Sequence, residues 1–434
     1  MHRRAFLLST LGLAAAPAPA SWLAAQLAGT PSPASAAAED ALDFAGWRDA
    51  FLARAERAGF VRERVLAEIS ALSADPQVIA LDRRQPELSR PIGDYMAATI
   101  SQARINRGQS FRTDLAPVLG QVEATQGTPP EILLAIWAVE SNFGQNQGGF
   151  DVVRSLATLA AEGRRRDWAE RQLLAALRIV FTGEAPRERL KGSWAGAMGQ
   201  TQFTPEDYLA WAVDQDGDGM RDIWGSSADA LGSTGAFLAR KAAWRRGETW
   251  GREVTLPQGF DYALAETGSR SWADWTGLGV RLAAEGDWNP AEAAESMGLI
   301  LPAGWTGPAF LILPNHMAIR AYNNSTSYAL AVGLLADRIA GRPNLARAWP
   351  SDTPLTLADR MAAQSALNRL GFDAGEVDGV LGLKTRAAAR AWQTSRRMPA
   401  DGYLTYGLIQ ALKAQAGGAV PAAADPLAEV RGLF

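Results

Sequence analysis

The sequence predicts a mainly α protein, α+β in class, with little strand and a small separate helical module near its C-terminal end. Apolar residues recur at threes and fours over most of the 434 residues, as at Phe51, Ala55 and Ala58. Strand-like alternation has one good stretch, 309–313. A proline-rich run, Arg342-Pro343 and then Trp349-Pro350-Ser351-Asp352-Thr353-Pro354, sets a segment at 355–414 apart from what precedes it.

With 47% hydrophobic residues the chain can bury more than one core, and its length suggests roughly two or three domains. It carries 43 basic and 46 acidic residues, a net charge of -3 with no long run of either sign, which argues against a nucleic-acid partner. The absence of cysteine excludes a thiol nucleophile, a disulfide framework and a lipid-modified N-terminal cysteine. His2 and His316 are too few for a zinc hydrolase. None of Lys191, Lys241, Lys384 and Lys413 has a serine three positions upstream, so the S-x-x-K arrangement is missing. The 15 tryptophans offer flat apolar faces with one N–H, suited to sugar rings as well as to cores.

Residues 1–37 read as a signal peptide. His2-Arg3-Arg4-Ala5-Phe6-Leu7-Leu8 leads into an apolar run from 7 to 16, and small residues end in Ala34-Ser35-Ala36-Ala37. The Arg3-Arg4 pair ahead of Phe6-Leu7 points to the twin-arginine route, with an ordinary secretory signal, which paired arginines also open, as the alternative. The run is too short to span a bilayer, and no later stretch reaches that length free of charge. A soluble periplasmic protein without a stable membrane anchor is expected.

From 44 to about 120 the pattern is helical, with breaks expected at Gly59, Pro76, Pro86 and Pro91. A sharper helix follows. Thr128 can cap it, Pro129 fits its first position and Glu131 completes a capping-box spacing. Ile132, Leu133, Ile136, Trp137 and Val139 supply an apolar stripe, and Gly144 ends the helix. Further helices are expected over 168–181, 206–213, 228–244 and 328–339. The Ala-, Gly- and Pro-rich tail at 415–434 is expected to be disordered.

Glu140 stands four residues after Ile136 and three after Trp137, so helical periodicity puts its carboxylate on the apolar stripe. It also falls in the helix's last turn, where the dipole and desolvation both favour the protonated form. A carboxyl group so placed can stay neutral near pH 7 and donate a proton to a leaving oxygen. A glutamate pointing to solvent at the helix end is the alternative.

The stretch Ala138-Val139-Glu140-Ser141-Asn142-Phe143-Gly144, followed by Ser155-Leu156-Ala157-Thr158-Leu159-Ala160, resembles the lytic murein transglycosylase B family. The resemblance continues in Gly192-Ser193-Trp194-Ala195-Gly196-Ala197-Met198-Gly199-Gln200-Thr201-Gln202-Phe203-Thr204-Pro205, then in Tyr322-Asn323-Asn324-Ser325 and Tyr328-Ala329-Leu330-Ala331-Val332. It covers roughly 44–342, implying a lysozyme-like catalytic domain at 40–342. By that resemblance Glu140 is the acid and base. Ser193, Met198, Gln202 and Phe203 line the cleavage site, Tyr322, Asn323 and Tyr328 close its other wall, and Tyr95 faces the same cleft. The glycines of the second segment would permit close approach of a flat ligand to main chain; a backbone turn with no ligand is the alternative.

Hydrolytic glycosidases use two carboxylates, and no second acid accompanies Glu140 in these motifs. The resemblance implies a different route, cleavage between N-acetylmuramic acid and N-acetylglucosamine with closure of a 1,6-anhydro ring and no water consumed. The enzyme would then be a lyase, exolytic or endolytic. A hydrolytic muramidase of the same fold and a non-catalytic wall-binding scaffold are the alternatives.

Asp214-Gln215-Asp216-Gly217-Asp218-Gly219-Met220-Arg221-Asp222 follows the order of an EF-hand loop, with Asp at positions one, three, five and nine, Gly at six and Met220 at seven. Position twelve is Gly225, so the usual bidentate glutamate is missing. Asp214, Asp216, Asp218, Met220 and Asp222 are the candidate ligands of a structural calcium ion; the alternative is a solvated acidic turn. No cofactor is expected for the chemistry.

Met361-Ala362-Ala363-Gln364, Leu367, Leu370-Gly371-Phe372, Val377-Asp378-Gly379-Val380-Leu381-Gly382, Thr385, Ala388, Trp392-Gln393 and Asp401-Gly402 resemble the peptidoglycan-binding domain type 1, a small three-helix module. The resemblance implies wall binding by 355–414, across a linker at 343–354. The expected partners are peptidoglycan glycan strands and, beyond these, other cell-wall enzymes, with the chain acting as a monomer.

Overall fold

The computed structural model describes residues 43–84 and 90–417. The expected signal peptide, Pro86 and the tail from residue 418 lie outside the described residues. Among the described residues no helix is long and apolar enough to cross a membrane.

The fold is mainly α, and its organising element is the helix Pro130–Ser141. Its apolar stripe is wider than periodicity suggested, because every residue from Ile132 to Ser141 is buried. A helix apolar all round belongs inside a core. Around it pack Gln102–Asp114, Ala116–Gln126, Ser227–Ala236 and Thr326–Ile339. Its start differs from expectation. Thr128 makes no cap, Pro129 takes the N-cap position in an extended conformation, and Pro130 opens the first turn, where a missing N–H costs nothing. Its end is a run of three left-handed residues, Asn142, Phe143 and Gly144, at φ 52°, 59° and 80°. Pro76 likewise opens the helix Pro76–Arg84 instead of breaking one.

The expected helix over 228–244 is split. Ser227–Ala236 is regular, and Phe237–Lys241 continues as a wider π turn, a feature frequent at functional sites. The strand expected at 309–313 exists as Ala309–Ile312, but it is central to a sheet whose other members went unread. In spatial order the strands are Ser269–Arg270, Met297–Ile300, Ala309–Ile312, Gly251–Thr255 and Arg281–Leu282, all antiparallel. This sheet has its own core of Val254, Trp275, Leu299 and Leu311, separate from the helical one.

The proline-rich segment is a bound strap. Glu253 on the sheet accepts hydrogen bonds from the main-chain N–H groups of Ala346 (2.7 Å) and Arg347 (2.9 Å). Trp349 stacks on Phe310 with ring centroids 6.1 Å apart.

Three helices, Leu357–Arg369, Leu383–Ser395 and Tyr406–Ala416, enclose a third core of Leu367, Ala389, Trp392, Ile409 and Leu412. The last helix takes in Gln415, whose side chain accepts from Trp392 Nε1 at 3.0 Å, so the tail begins later than 415. The module is docked on the catalytic body. Asp401 Oδ2 accepts from the Trp305 N–H (2.8 Å), Arg386 pairs with Glu266 (3.2 Å), and the Tyr403 hydroxyl donates to Asp352 (2.7 Å).

Candidate active site

Glu140 occupies the last turn of the central helix and is only 4% exposed. Burial pushes its carboxyl up to about 8, and the smaller, opposing influence is the Tyr328 hydroxyl, which favours the charged form. No charged group among the described residues contributes to this shift. That hydroxyl donates to Glu140 Oε1 at 2.6 Å, while Oε2 is buried with no hydrogen-bond partner among the described residues. One carboxyl oxygen is therefore held by the protein and the other is left open.

Tyr328 reaches Glu140 because a turn at 323–325 separates the helices Pro314–Tyr322 and Thr326–Ile339. Ser325 caps the second by accepting from the Tyr328 N–H at 3.3 Å. The phenols of Tyr328 and Tyr322 are held well above their usual range, first by burial and then by the Glu140 charge. Tyr95, on the helix Ile92–Thr99, is raised in the same order of causes. All three remain protonated, as neutral donors near one carboxyl group.

The glycine-rich segment forms a tight hairpin. Met198 and Phe203 exchange main-chain hydrogen bonds, both 2.8 Å, and close the loop 199–202. Gln202 sits at its tip at φ 55°, and its amide donates to the carbonyls of Gln147 and Gly199, both at 2.9 Å. The Tyr322 hydroxyl donates to the Thr201 carbonyl at 2.6 Å, and its ring lies 6.0 Å from Phe203 and 4.8 Å from Phe237. Gln202 Oε1 and Thr201 Oγ1 are buried with no partner among the described residues, so the hairpin carries polar atoms free to meet a ligand.

Ser193 accepts from the Ala197 N–H at 3.0 Å and stabilises the turn ahead of the hairpin. Met198 is fully buried and Asn323 is 1% exposed. The structure thus gathers Glu140, Tyr95, Tyr322 and Tyr328, and joins Gln202 and Phe203 to them through Tyr322. Ser193 and Met198 belong to the hairpin's framework. The glycines serve a different end from the one expected. A Cβ on Gly192 would lie 1.9 Å from the Ala197 carbonyl oxygen, so the close approach is by the protein's own main chain.

Ser141 and Gln200 are positioning residues that sequence reasoning missed. The Ser141 hydroxyl donates to the Gln200 carbonyl and accepts from the Gly144 N–H at 2.8 Å. Gln200 Oε1 accepts from Trp137 Nε1 at 3.0 Å. Together they tie the end of the Glu140 helix to the hairpin. Both stood inside the motifs quoted, but hydrogen bonds across 59 and 63 residues have no local signature.

The acidic loop is rearranged relative to expectation. Asp214, Asp216 and Asp229 each bring a carboxylate oxygen within 4.8 Å of the others. Asp222 is not among them; one of its oxygens pairs with Arg189 (2.8 Å) and the other accepts from the N–H groups of Trp224 and Gly225. Asp218 turns back to the Met220 N–H (2.8 Å), and the Met220 side chain is 47% exposed. Asp229, missed because it lies beyond position twelve, is buried and braces the loop by accepting from the N–H groups of Gln215 and Asp222, both at 2.7 Å. Three converging carboxylates suit a hard cation with oxygen ligands such as calcium.

A lysozyme-like fold around one neutral, buried carboxyl group defines the class of protein. The chain belongs to the transglycosylase SLT domain family, whose model matches residues 43–337, and residues 356–412 match the peptidoglycan binding domain model. The chain is 29% identical over 302 residues to membrane-bound lytic murein transglycosylase B of Escherichia coli, covering 65% of this chain and 79% of that one. SltB3 from Pseudomonas aeruginosa in complex with NAG-anhNAM-pentapeptide superposes with a TM-score of 0.81 at 45% identity, covering 85% of this chain and 99% of that one. Escherichia coli Slt35 in complex with calcium superposes with a TM-score of 0.58 at 28% identity, covering 69% of this chain and 94% of that one.

Proposed function

We propose that the protein is a lytic transglycosylase that cleaves the β-1,4 bond between N-acetylmuramic acid and N-acetylglucosamine in peptidoglycan, with Glu140 as its acid and base. The observation that carries this is the buried Glu140 carboxyl, raised to about 8 with no second carboxylate among the described residues acting on it. A group with that pKa is protonated at neutral pH, ready to donate to a glycosidic oxygen, and becomes a competent base once it has done so. Tyr328 fixes Oε1, leaving Oε2 to carry the transferred proton.

In the first step the Glu140 proton passes to the oxygen leaving with N-acetylglucosamine as the glycosidic bond breaks. The N-acetyl group of the muramic acid stabilises the positive charge at its anomeric carbon. In the second step Glu140, now a carboxylate, takes the proton of the muramic acid 6-hydroxyl while that oxygen bonds to the anomeric carbon and closes the 1,6-anhydro ring. The absence of a second carboxylate favours this route over direct water attack. Gln202, Thr201, Tyr322, Asn323 and Tyr95 line the bound sugars, and Ser193, Met198 and Phe203 hold the hairpin against them. Asp214, Asp216 and Asp229 hold a structural calcium ion that takes no part in the chemistry. Residues 1–37 direct the chain to the periplasm through the twin-arginine route.

Mass spectrometry of digested sacculi tests this reading. Anhydro-muropeptides are expected, and products heavier by one water would replace it with a hydrolytic muramidase.

A further inference from the structure

A cleft of about 310 Å³ lies between the docked C-terminal module and the catalytic body. Arg90 and Ser327 line it from the body, and Arg360, Val380, Leu381 and Tyr403 from the strap and module side. Ser327 immediately precedes Tyr328, so the cleft adjoins the turn that delivers the Glu140 partner. The charge of Arg90 also acts on Tyr95 in the active-site wall.

Two properties of the cleft define what fits it. It is cationic, since Arg90, Arg360 and Arg386 line it against the single acid Asp352. Arg386 is paired with Glu266, whereas Arg90 is exposed and has no ion-pair partner among the described residues. The module side is also apolar, and that surface continues outward through Val380 (47% exposed), Leu357 (54%) and Met361 (37%). Leu357 and Met361 both approach Gly379, beside Val380. The flat ring in the lining is Tyr403, whose hydroxyl is committed to Asp352. Trp392, the module's tryptophan, is 3% exposed, with its N–H held by Gln415.

We propose that this cleft receives a peptide stem of the strand engaged at Glu140, a ligand that carries carboxylates alongside small apolar side chains, with Arg90 meeting a carboxylate and Val380 the apolar part. The inference rests on the peptidoglycan-cleaving reading and adds what the second module recognises. Because the module is fixed to the catalytic body, the stem and the scissile bond are read at one set spacing, which gives specificity that a freely tethered module lacks.

Binding of the full-length chain, carrying Glu140→Gln to prevent turnover, is compared on intact sacculi and on glycan strands freed of peptide by an amidase. Roughly tenfold tighter binding to the peptide-bearing wall is expected, with a free tetrapeptide stem competing for the difference. Arg90→Glu and Val380→Asp, two exposed positions on opposite walls, are each expected to remove most of that difference. Equal binding to both walls, or a preference that survives both substitutions, overturns the proposal. Anhydro products from peptide-free strands, measured with Glu140 intact, test the catalytic reading separately.

Discussion

The Tyr328 hydroxyl donates to Glu140 Oε1 at 2.6 Å across 188 residues of chain, and both groups are almost fully buried. This bond assigns different tasks to the two carboxyl oxygens and favours the charged form that burial opposes. Tyr328→Phe removes it with little change of volume. Its kcat is expected to fall about 10- to 100-fold, as befits a lost hydrogen bond to a charged group. The alkaline limb of the pH profile should also shift to higher pH, because Glu140 loses a group that lowers its pKa. An unchanged alkaline limb would refute this role for Tyr328.

Glu140→Gln keeps the shape of the side chain and removes its proton chemistry. Release of anhydro products is expected to fall by roughly a thousandfold or more, while binding to sacculi persists. Loss of turnover with full binding separates catalysis from scaffolding; undiminished turnover would remove Glu140 from the mechanism.

The raised pKa of Glu140 also makes a statement about stability. Its carboxyl titrates near 4.3 when unfolded and at about 8 when folded, so the folded state binds the extra proton between those values. The contribution is fully present below about pH 4 and is lost as pH rises through about 8. The melting temperature of Glu140→Gln should therefore rise relative to the parent chain over that interval. Parallel melting curves from pH 4 to 9 would contradict a buried, neutral Glu140.

Calcium should raise the melting temperature of the parent chain, since an ion bound only by the folded state stabilises it. Asp229→Asn is expected to abolish that increment. Asp222→Asn should lower stability through its lost ion pair with Arg189 and retain the increment. Calorimetry with calcium and with chelator distinguishes the two, and an increment lost in Asp222→Asn instead would return that residue to the ligand set.

Gly192→Ala places a methyl group 1.9 Å from the Ala197 carbonyl oxygen, a main-chain atom that cannot swing aside. A loss of about 3 kcal/mol is expected by denaturant titration, with activity falling as the hairpin shifts. Stability within about 0.5 kcal/mol of the parent would show that the hairpin can relax.

Much of the site was legible in the chain because it rests on short runs with strong local meaning. Glu140 among apolar residues, the glycine-rich segment and the paired tyrosines all lie in contiguous motifs, and the helical period located the helices around 130–141, 166–181 and 326–339 but not Val152–Glu162 or Pro314–Tyr322. The sheet was legible only at 309–312, because two of its strands are two-residue pieces, Ser269–Arg270 and Arg281–Leu282, too short to show alternation. The strap was read as a spacer because prolines mark irregular backbone but say nothing of the Glu253 carboxylate that holds it.

By itself the sequence determined the helical class, the family motifs, the candidate acid Glu140 and the acidic loop. Tertiary structure alone decided that Glu140 is buried, that Asp229 and not Asp222 converges with Asp214 and Asp216, and that the C-terminal module is docked beside the Tyr328 turn. The reason is physical. Periodicity and motif order are properties of neighbours along the chain, whereas desolvation, ligand convergence and docking depend on groups brought together from distant positions. Glu140 is raised to about 8 by the burial those groups create, and Tyr328, 188 residues away, engages one of its two carboxyl oxygens.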